Sequence, residues 1–238
     1  MENEDLIRAI EAAHIDISTI VDLTHVDPKT VQCWLKGRVP HSRHRKTLAK
    51  LLNERENYLW PTESTKEIRT AYAHRADVPA SSWWQLFSQA HQHIDLLGYA
   101  MSFLPEQHPR LVSLLKEKSM ASCKIRIALA DPTCGHVQER DAEERLGGTL
   151  PDLIRSTVYL FRELWHIDGI EIRYHTTPLY NSIFRCDNEM FATPHLYGLH
   201  GSKAPLLYLR RLEADGIFAN FIDHFEAVWK SATAVEQA

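Results

Sequence analysis

The apolar positions of the N-terminal quarter of the chain recur at helical spacing. Leu6 and Ile10 belong to a pattern that predicts a helix over residues 4–13, and the apolar residues of 17–23 predict a second, shorter helix. A helix that is apolar along one side buries that side against its neighbours. Residues 1–61 are therefore predicted to form an all-helical domain.

Start and stop signals delimit a third helix over residues 28–36. Asp27 is a suitable N-cap, and Pro28 at the first helical position gives up no backbone hydrogen bond. Val31 and Trp34 supply its apolar side, and Gly37 is a natural C-cap. Two short helices joined by a tight turn form the helix-turn-helix arrangement.

The remaining residues predict a different architecture. Residues 62–82 are rich in polar residues and turn signals, and we interpret them as a linker with a helix of its own over 66–75. From residue 83 to 238, short apolar runs alternate with helical stretches, which predicts a mixed, mainly parallel α/β domain. The overall fold class is thus α + α/β. The predicted strands are residues 93–102, 124–130, 170–174, 180–185, 190–193 and 205–211. The predicted helices are one that begins at residue 82 and leads into this domain, and those over 108–121, 137–146, 150–165 and 216–231.

Charge is distributed unevenly along the chain. The formal net charge is -4, yet residues 28–50 contain seven Lys or Arg residues and no acidic residue. Part of this stretch lies on a fourth predicted helix, over residues 42–53. A basic segment in an acidic chain indicates an electrostatic footprint for nucleic acid, although a solvated basic face without a partner is the alternative.

Other classes of protein are disfavoured by the composition. The N-terminus reads MENEDLIRAIEAAH, which is not the pattern of a signal peptide, and no apolar run approaches the length of about 20 residues that spans a bilayer. The four cysteines are scattered without a CxxC pair, as in reduced thiols. We therefore expect a cytoplasmic protein without a membrane partner. The spacing of the histidines and glycines predicts neither a metal site nor a bound cofactor.

The stretch STIVDLTHVDPKTVQCWLKGRVPHSRHRKTLAKLL resembles the lambda-repressor-like (XRE) helix-turn-helix family, and the resemblance extends over about residues 4–53. It implies a double-stranded DNA partner. Gln can bond adenine bidentately, and clustered Lys and Arg displace counterions from phosphates. A helix-turn-helix that serves only as a protein-interaction module is the alternative. The resemblance implies base contacts by Lys29, Thr30, Gln32 and Cys33, and phosphate contacts by Lys36, Arg38, Arg43, Arg45 and Lys46.

The stretch IEIRYHTTPLYNSIFRCDNEMFATPHLYG resembles half of a phospholipase D site, in which H-x-K on a strand is followed by an Asp and a G-S-x-N turn. Tyr180 stands at the His position, Ser182 at the Lys position, and only Asp187 matches. The family's chemistry needs a histidine nucleophile and a lysine that neutralises phosphate. The resemblance therefore implies a degenerate domain that is not an enzyme.

The same positions suggest a ligand site. Residues at i and i+2 on a strand share a face, and strand ends are the usual location of sites in α/β sheets. A structural role for the Tyr and His residues at these positions is the alternative. The candidate ligand-binding residues are Asp131, Tyr180, Ser182, Asp187, His195 and Tyr197.

Taken together, the chain resembles XRE-type regulators that carry a phospholipase-D-like domain after the helix-turn-helix. This resemblance implies a sequence-specific transcriptional regulator whose second domain senses a small-molecule effector, dimerises, or both. A homodimer is expected because one helix-turn-helix covers little DNA. A phosphodiesterase or nuclease-like enzyme targeted to DNA and a protein-interaction module remain as alternatives.

Overall fold

The computed structural model describes residues 2–60 and 67–235. The chain divides into two compact units, Met1–Lys66 and Glu67–Ala238. The expected start of the linker, residues 62–66, lies outside the described residues. In the first unit the described residues form five helices: α1 (Glu4–Ala12), α2 (Ile17–Thr24), α3 (Pro28–Leu35), α4 (Ser42–Leu51) and α5 (Glu56–Leu59).

Helix α3 begins and ends where the capping residues predict. The Asp27 side chain accepts a hydrogen bond from the backbone N–H of Lys29 at 2.7 Å, Pro28 occupies the first turn, and Gly37 has φ +95°. The helices enclose a small core in which Val31 and Trp34 of α3 are almost fully buried. The helical predictions for this unit are confirmed, and α5 was not predicted.

The second unit is a mixed sheet with helices on both faces. Its strand order is β1-β7-β6-β5-β2-β3-β4-β8. The elements follow the chain in this order: β1 (Ile68–Tyr72), α6 (Ala80–Ser88), β2 (His93–Gly98), α7 (Phe103–Gln107), α8 (Leu111–Met120), β3 (Lys124–Ala130), α9 (Gly135–Glu144), α10 (Leu150–Leu160), β4 (Ile170–His175), β5 (Asn181–Cys186), β6 (Glu189–Pro194), β7 (Leu206–Arg210), α11 (Ile217–Ser231) and β8 (Thr233–Ala234).

The expectation of a mainly parallel sheet is wrong. Within the described residues only β2–β3 and β3–β4 pair in parallel, and the other five pairings are antiparallel. Parallel neighbours need a long crossover, which helices supply only in the first half of this unit. Strands β5 and β6 are instead joined by the two residues Asp187 and Asn188, a connection that allows only an antiparallel hairpin.

The helix expected over residues 66–75 is also wrong. Residues Ile68–Tyr72 form strand β1, which pairs antiparallel with β7 at the edge of the sheet. The segment is largely exposed and lacks a buried face, so its sequence carries no clear period of two. Backbone pairing with β7 decides its structure over local propensity. Most of the predicted linker therefore belongs to the second unit.

The two faces of the sheet carry separate cores. Leu97 and Ile183 pack with α11 on one face, whereas Ile127 and Phe184 pack with helices α6, α8 and α10 on the other. This alternation follows from the opposite directions of successive side chains along a strand. The second face is continued beyond β2 by residues 99–107, where the sheet and helices leave a cavity.

Candidate functional site

Helix α3 presents a polar face opposite its buried one. Lys29, Gln32, Cys33 and Lys36 are spaced i, i+3, i+4 and i+7, so they follow a single stripe along the helix. Lys29, Gln32 and Lys36 are exposed and Cys33 is half-buried. We call this stripe the α3 face. Thr30 lies beside it, half-buried. The residues predicted to contact bases are therefore together on the accessible side of the helix.

The residues predicted to contact phosphates differ in whether another side chain of the first unit already pairs with them. Arg38, Arg43 and Lys46 are exposed. Arg45 is instead held by Glu56 of α5, at 2.6 Å from its Nε, and it donates to the Pro40 carbonyl at 3.1 Å. In the described part of the chain, no carboxylate lies within 4.0 Å of the other six cations of residues 28–50. Arg45 thus joins α4 to α5, and the remaining cations are available to a partner.

Arg43 is oriented by a histidine in the same helix. Its Nε donates to His44 Nε2 at 3.0 Å, and the His44 ring lies 5.5 Å from that of the buried Trp34. Burial and the charges of Arg43 and His41 lower the pKa of His44, so the ring stays neutral and can accept this bond. The contact links the exposed guanidinium to the core of the first unit.

In the second unit a cavity of about 280 Å³ opens at the carboxyl end of β2. Ser182 of β5 and Thr193 of β6 line its floor, and they are direct cross-strand partners. Residues 99–103 and the start of α10 supply part of the walls. The volume is near the lower end of the range of about 300–1,000 Å³ that is typical of ligand pockets. We call it the β2-end cavity.

Ser182 and His195 form a hydrogen-bonded pair at the edge of this cavity. Ser182 Oγ lies 2.9 Å from His195 Nε2, and His195 Nδ1 lies 3.1 Å from the Leu179 carbonyl. Because a carbonyl only accepts, Nδ1 carries the proton, and Nε2 accepts from the Ser182 hydroxyl. Burial above all, assisted by the charges of Arg140 and Arg75, lowers the pKa of His195 to about 4.

This pair has the atoms of a nucleophile and a base but weak chemistry for that purpose. A base with a pKa of about 4 takes up a proton poorly at neutral pH. In addition, a backbone carbonyl rather than a carboxylate faces Nδ1, so a developing imidazolium gains little stabilisation. The pair is better suited to fixing the orientation of polar groups at a binding site.

The other predicted ligand residues are not gathered in the β2-end cavity. Tyr180 and Tyr197, which are 74% and 87% exposed, line a neighbouring cavity of about 240 Å³, and Tyr99 and His195 are the described residues that line both cavities. Asp131 lines neither cavity, and its carboxylate accepts from the N–H and hydroxyl of Thr133.

Asp187 lies at the opposite end of β5 from Ser182, in the hairpin turn. Its carboxylate accepts the backbone N–H groups of His91, Gln92 and His93 at 2.7–2.8 Å. Burial alone raises the pKa of this carboxyl, but the three N–H donors outweigh that effect and hold the pKa below its usual range. Asp187 therefore fixes the loop before β2 rather than lining a cavity.

Two cavity residues escape the sequence reasoning. Thr193 could have been found, because a two-residue turn at Asp187 and Asn188 places it opposite Ser182 when residues are counted outward from the turn. Arg75 reaches the cavity from the segment after β1, for which the sequence predicts a linker. Nothing in its local sequence marks it.

The described residues contain no group of three or more His, Cys, Asp or Glu side chains arranged to hold a metal ion. Among the same residues, every helix is too short or too polar to cross a membrane.

No protein-family model matches the chain, and no curated protein matches it. Among solved structures it is similar to TrmBL2, an archaeal chromatin protein described as showing a novel mode of DNA binding, with 13% identity and a TM-score of 0.46 over 81% of this chain. This chain spans 62% of the length of that protein. It is also similar to Nuc from Salmonella typhimurium, a phospholipase D family member, with 10% identity and a TM-score of 0.46 over 71% of this chain and 99% of that one.

TM-scores of 0.46 are too low to transfer either fold or activity to this chain. The geometry of its own residues carries the functional argument.

Proposed function

We propose that this protein is a sequence-specific transcriptional regulator of the XRE type, which binds double-stranded DNA through α2 and α3 of its first unit. The α3 face is the observation that carries the proposal. It sets two lysines and a glutamine on one accessible stripe, and the exposed Arg38, Arg43 and Lys46 follow it along the chain. A helix of this kind fits the major groove, where Gln and Lys read base edges.

The surroundings of α3 favour DNA over a protein partner. Residues 28–53 contain no acidic side chain, and the acids of the first unit lie before or after this stretch. The α3 face also contains no large apolar residue, although the cores of protein–protein interfaces are usually apolar or aromatic. A polyanion with hydrogen-bonding base edges matches this surface better than an apolar groove does.

The second unit is proposed to bind an effector and to contribute to a homodimer, rather than to cleave phosphodiesters. Tyr180 and Ser182 replace the nucleophile and the phosphate-binding lysine, and His195 is held as a neutral acceptor. An effector can regulate DNA binding only if it binds two states of the protein with different affinity. In a dimer, two such states can differ in the spacing between the two recognition helices.

Binding of the full chain to its own upstream duplex, compared with scrambled duplex at low and physiological salt, tests the DNA proposal. The Lys36→Ala/Arg43→Ala variant is expected to weaken binding to both duplexes and to reduce the slope of log K against log salt by about 2, since each lost phosphate contact removes about 0.9. Gln32→Ala is expected to reduce the preference for the native duplex by about 1–3 kcal/mol.

Arg8→Ala is the matched control for the DNA experiment. Arg8 is an exposed arginine on α1, paired with Glu4, and it is outside the basic stretch. Its removal takes one positive charge from the same unit, as each of the two substitutions in the test variant does, and is expected to leave the salt slope nearly unchanged. Arg45→Ala is avoided, because it would break the contact with Glu56. Equal, weak binding of both duplexes, or an equal effect of Arg8→Ala, would contradict the proposal.

Phosphodiester hydrolysis provides the test against the enzymatic alternative. We expect bis(4-nitrophenyl) phosphate to be hydrolysed in the presence of the purified protein at the uncatalysed background rate, because no histidine nucleophile or lysine occupies the family positions. Release of 4-nitrophenol followed by absorbance measures this. Turnover that is abolished by Tyr180→Phe or His195→Gln would show that the second unit is an enzyme.

A further inference from the structure

We propose that the β2-end cavity binds a small monocarboxylic acid with an apolar group, whose carboxylate pairs with Arg75 and accepts a hydrogen bond from Thr193. This inference rests on the proposed effector-binding role of the second unit and names the chemical class of the effector. Three features of the cavity carry it: a cation without a counter-ion, a buried hydroxyl without a partner, and apolar walls.

The cation is Arg75, which is partly buried in the cavity wall. Its Nε donates to the Gly201 carbonyl at 3.0 Å, and its guanidinium lies 3.6 Å from the centre of the Phe103 ring. Among the described residues, no carboxylate lies within 4.0 Å of it. Burial lowers the pKa of Arg75 to about 10, against the raising effect of Glu144. A guanidinium that loses water without gaining a counter-ion is matched to a bidentate carboxylate.

The hydroxyl is that of Thr193, which is 1% exposed and lines the cavity floor. Its Oγ1 has no hydrogen-bond partner among the described residues. The hydroxyl of its cross-strand neighbour Ser182 already donates its hydrogen bond to His195. An unpaired buried hydroxyl is unfavourable, so a ligand that accepts its hydrogen bond recovers the lost interaction.

The charge count favours a monoanion over a phosphate. Glu144 is already paired with Arg140 at 2.5 Å, and Glu106 lies exposed at the cavity rim. Arg75 is the one Lys or Arg among the described lining residues, and no carboxylate of the described residues lies within 4.0 Å of it. A dianion would add a second negative charge near two glutamates, whereas the single negative charge of a carboxylate is balanced by the single positive charge of Arg75.

The walls define the rest of the ligand. Leu146, Leu150 and Leu153 lie on one side of the cavity, with Phe103 and Phe184 also in the lining. Burial of aliphatic or aromatic carbon here is favourable because it removes apolar surface from water. The volume of about 280 Å³ admits a ring or a branched chain of a few carbons attached to the acid.

Thermal unfolding of the full chain tests the site with defined probes. Phenylacetate and 4-methylpentanoate, each at about 10 mM, are expected to raise the unfolding midpoint of the second unit, because a ligand that binds only the folded state stabilises it. Phenylacetamide, which has the same shape without the charge, and inorganic phosphate are expected to have little effect. An equal shift with phenylacetamide, a larger shift with phosphate, or no shift with either acid would overturn the inference.

Two variants separate binding from folding. Thr193→Val is expected to raise the midpoint of the free protein by about 2–4 °C while weakening carboxylate binding about tenfold, because it removes a hydroxyl that only the ligand satisfies. Arg75→Met is expected to abolish the ligand-induced shift. Arg110→Met is the matched control, since Arg110 also lies over an aromatic ring, that of Trp84, but outside the cavity.

The directions in which Thr193→Val changes the unfolding midpoint and the carboxylate affinity test the inference even if Arg75→Met fails to fold. A purely structural Thr193 would make Thr193→Val destabilising or neutral and would leave carboxylate affinity unchanged, which would overturn the inference. Affinity for the upstream duplex, measured with and without phenylacetate, tests the regulatory role separately. Carboxylate binding that leaves DNA affinity unchanged would support the site and contradict only its role as an effector site.

Discussion

Asp95→Asn is expected to destabilise the second unit by about 3–5 kcal/mol, because it leaves two arginines beneath α11 without their shared counter-ion. The Asp95 side chain is 1% exposed, and its two oxygens accept from Arg126 and Arg185 at 2.7 Å each. Calorimetric unfolding of the full chain, in which the transition of the sheet unit is followed, measures the loss.

The register of the sheet explains why Asp95 has this effect. Asp95 on β2 is paired directly with Arg126 on β3 and with Arg185 on β5, so one buried anion is held between two cations on adjacent strands. Arg126 also donates two hydrogen bonds to the Glu226 carboxylate of α11, at 2.7 and 3.0 Å. The network thus joins three central strands to the helix that covers them.

Asp152→Asn provides a control of the same chemistry at the surface. Asp152 pairs with Arg155 one turn away, and both side chains are mostly exposed. A solvated pair of this kind contributes less than about 1 kcal/mol. If Asp95→Asn were as mild as Asp152→Asn, water would have to reach Arg126 and Arg185 in the folded protein, and the network would not be a significant source of stability.

Asp187→Ala is expected to destabilise the second unit by about 2–4 kcal/mol. It removes the acceptor of three backbone N–H groups and places alanine at φ +52°, a conformation that Asp and Asn tolerate better. Asp187→Asn, which keeps the backbone conformation and one acceptor oxygen, is expected to lose about half as much. Urea unfolding of the three proteins gives the comparison.

The pH dependence provides a second measurement of the same residue. The pKa of Asp187 is lower in the folded protein than in the unfolded chain, so its contribution is complete above the ordinary aspartate range of about 4 and is lost as pH falls through the folded pKa. The stability gap between the natural protein and Asp187→Asn should therefore narrow below about pH 4. A stability gap that stays constant with pH would contradict this role of the Asp187 carboxylate. Loss of ligand binding with unchanged stability would instead indicate that Asp187 belongs to the binding site.

The sequence predicts most elements of this fold because their signals are local. The apolar runs of β2 and β3, the cap at Asp27 and the stop at Gly37 each depend on a few neighbouring residues. Strand β1 escapes prediction because it is a largely exposed edge strand, whose structure comes from pairing with β7 some 135 residues later. The sequence overestimates the parallel character because the hairpin signal at Asp187 and Asn188 overlaps the stretch that resembles the phospholipase D motif.

The candidate site is predictable only in part, for the same reason. Ser182 and His195 meet because one hairpin carries both, so their spacing in sequence already places them together. Arg75 comes from a distant segment and reaches the cavity only through the fold. Asp187 matched a family pattern, yet the position of the turn directs it to the opposite end of β5.

The position of β1 determines where the second unit can be cut from the chain. Glu67, just before β1, accepts hydrogen bonds from the backbone N–H groups of Phe218 in the first turn of α11 and of Leu212 after β7. A fragment that begins at residue 83 would lack this acceptor, leave the β7 edge open to pairing with other chains, and lose Arg75. An expression fragment of this unit therefore has to include residue 67, well upstream of the boundary that sequence composition suggests.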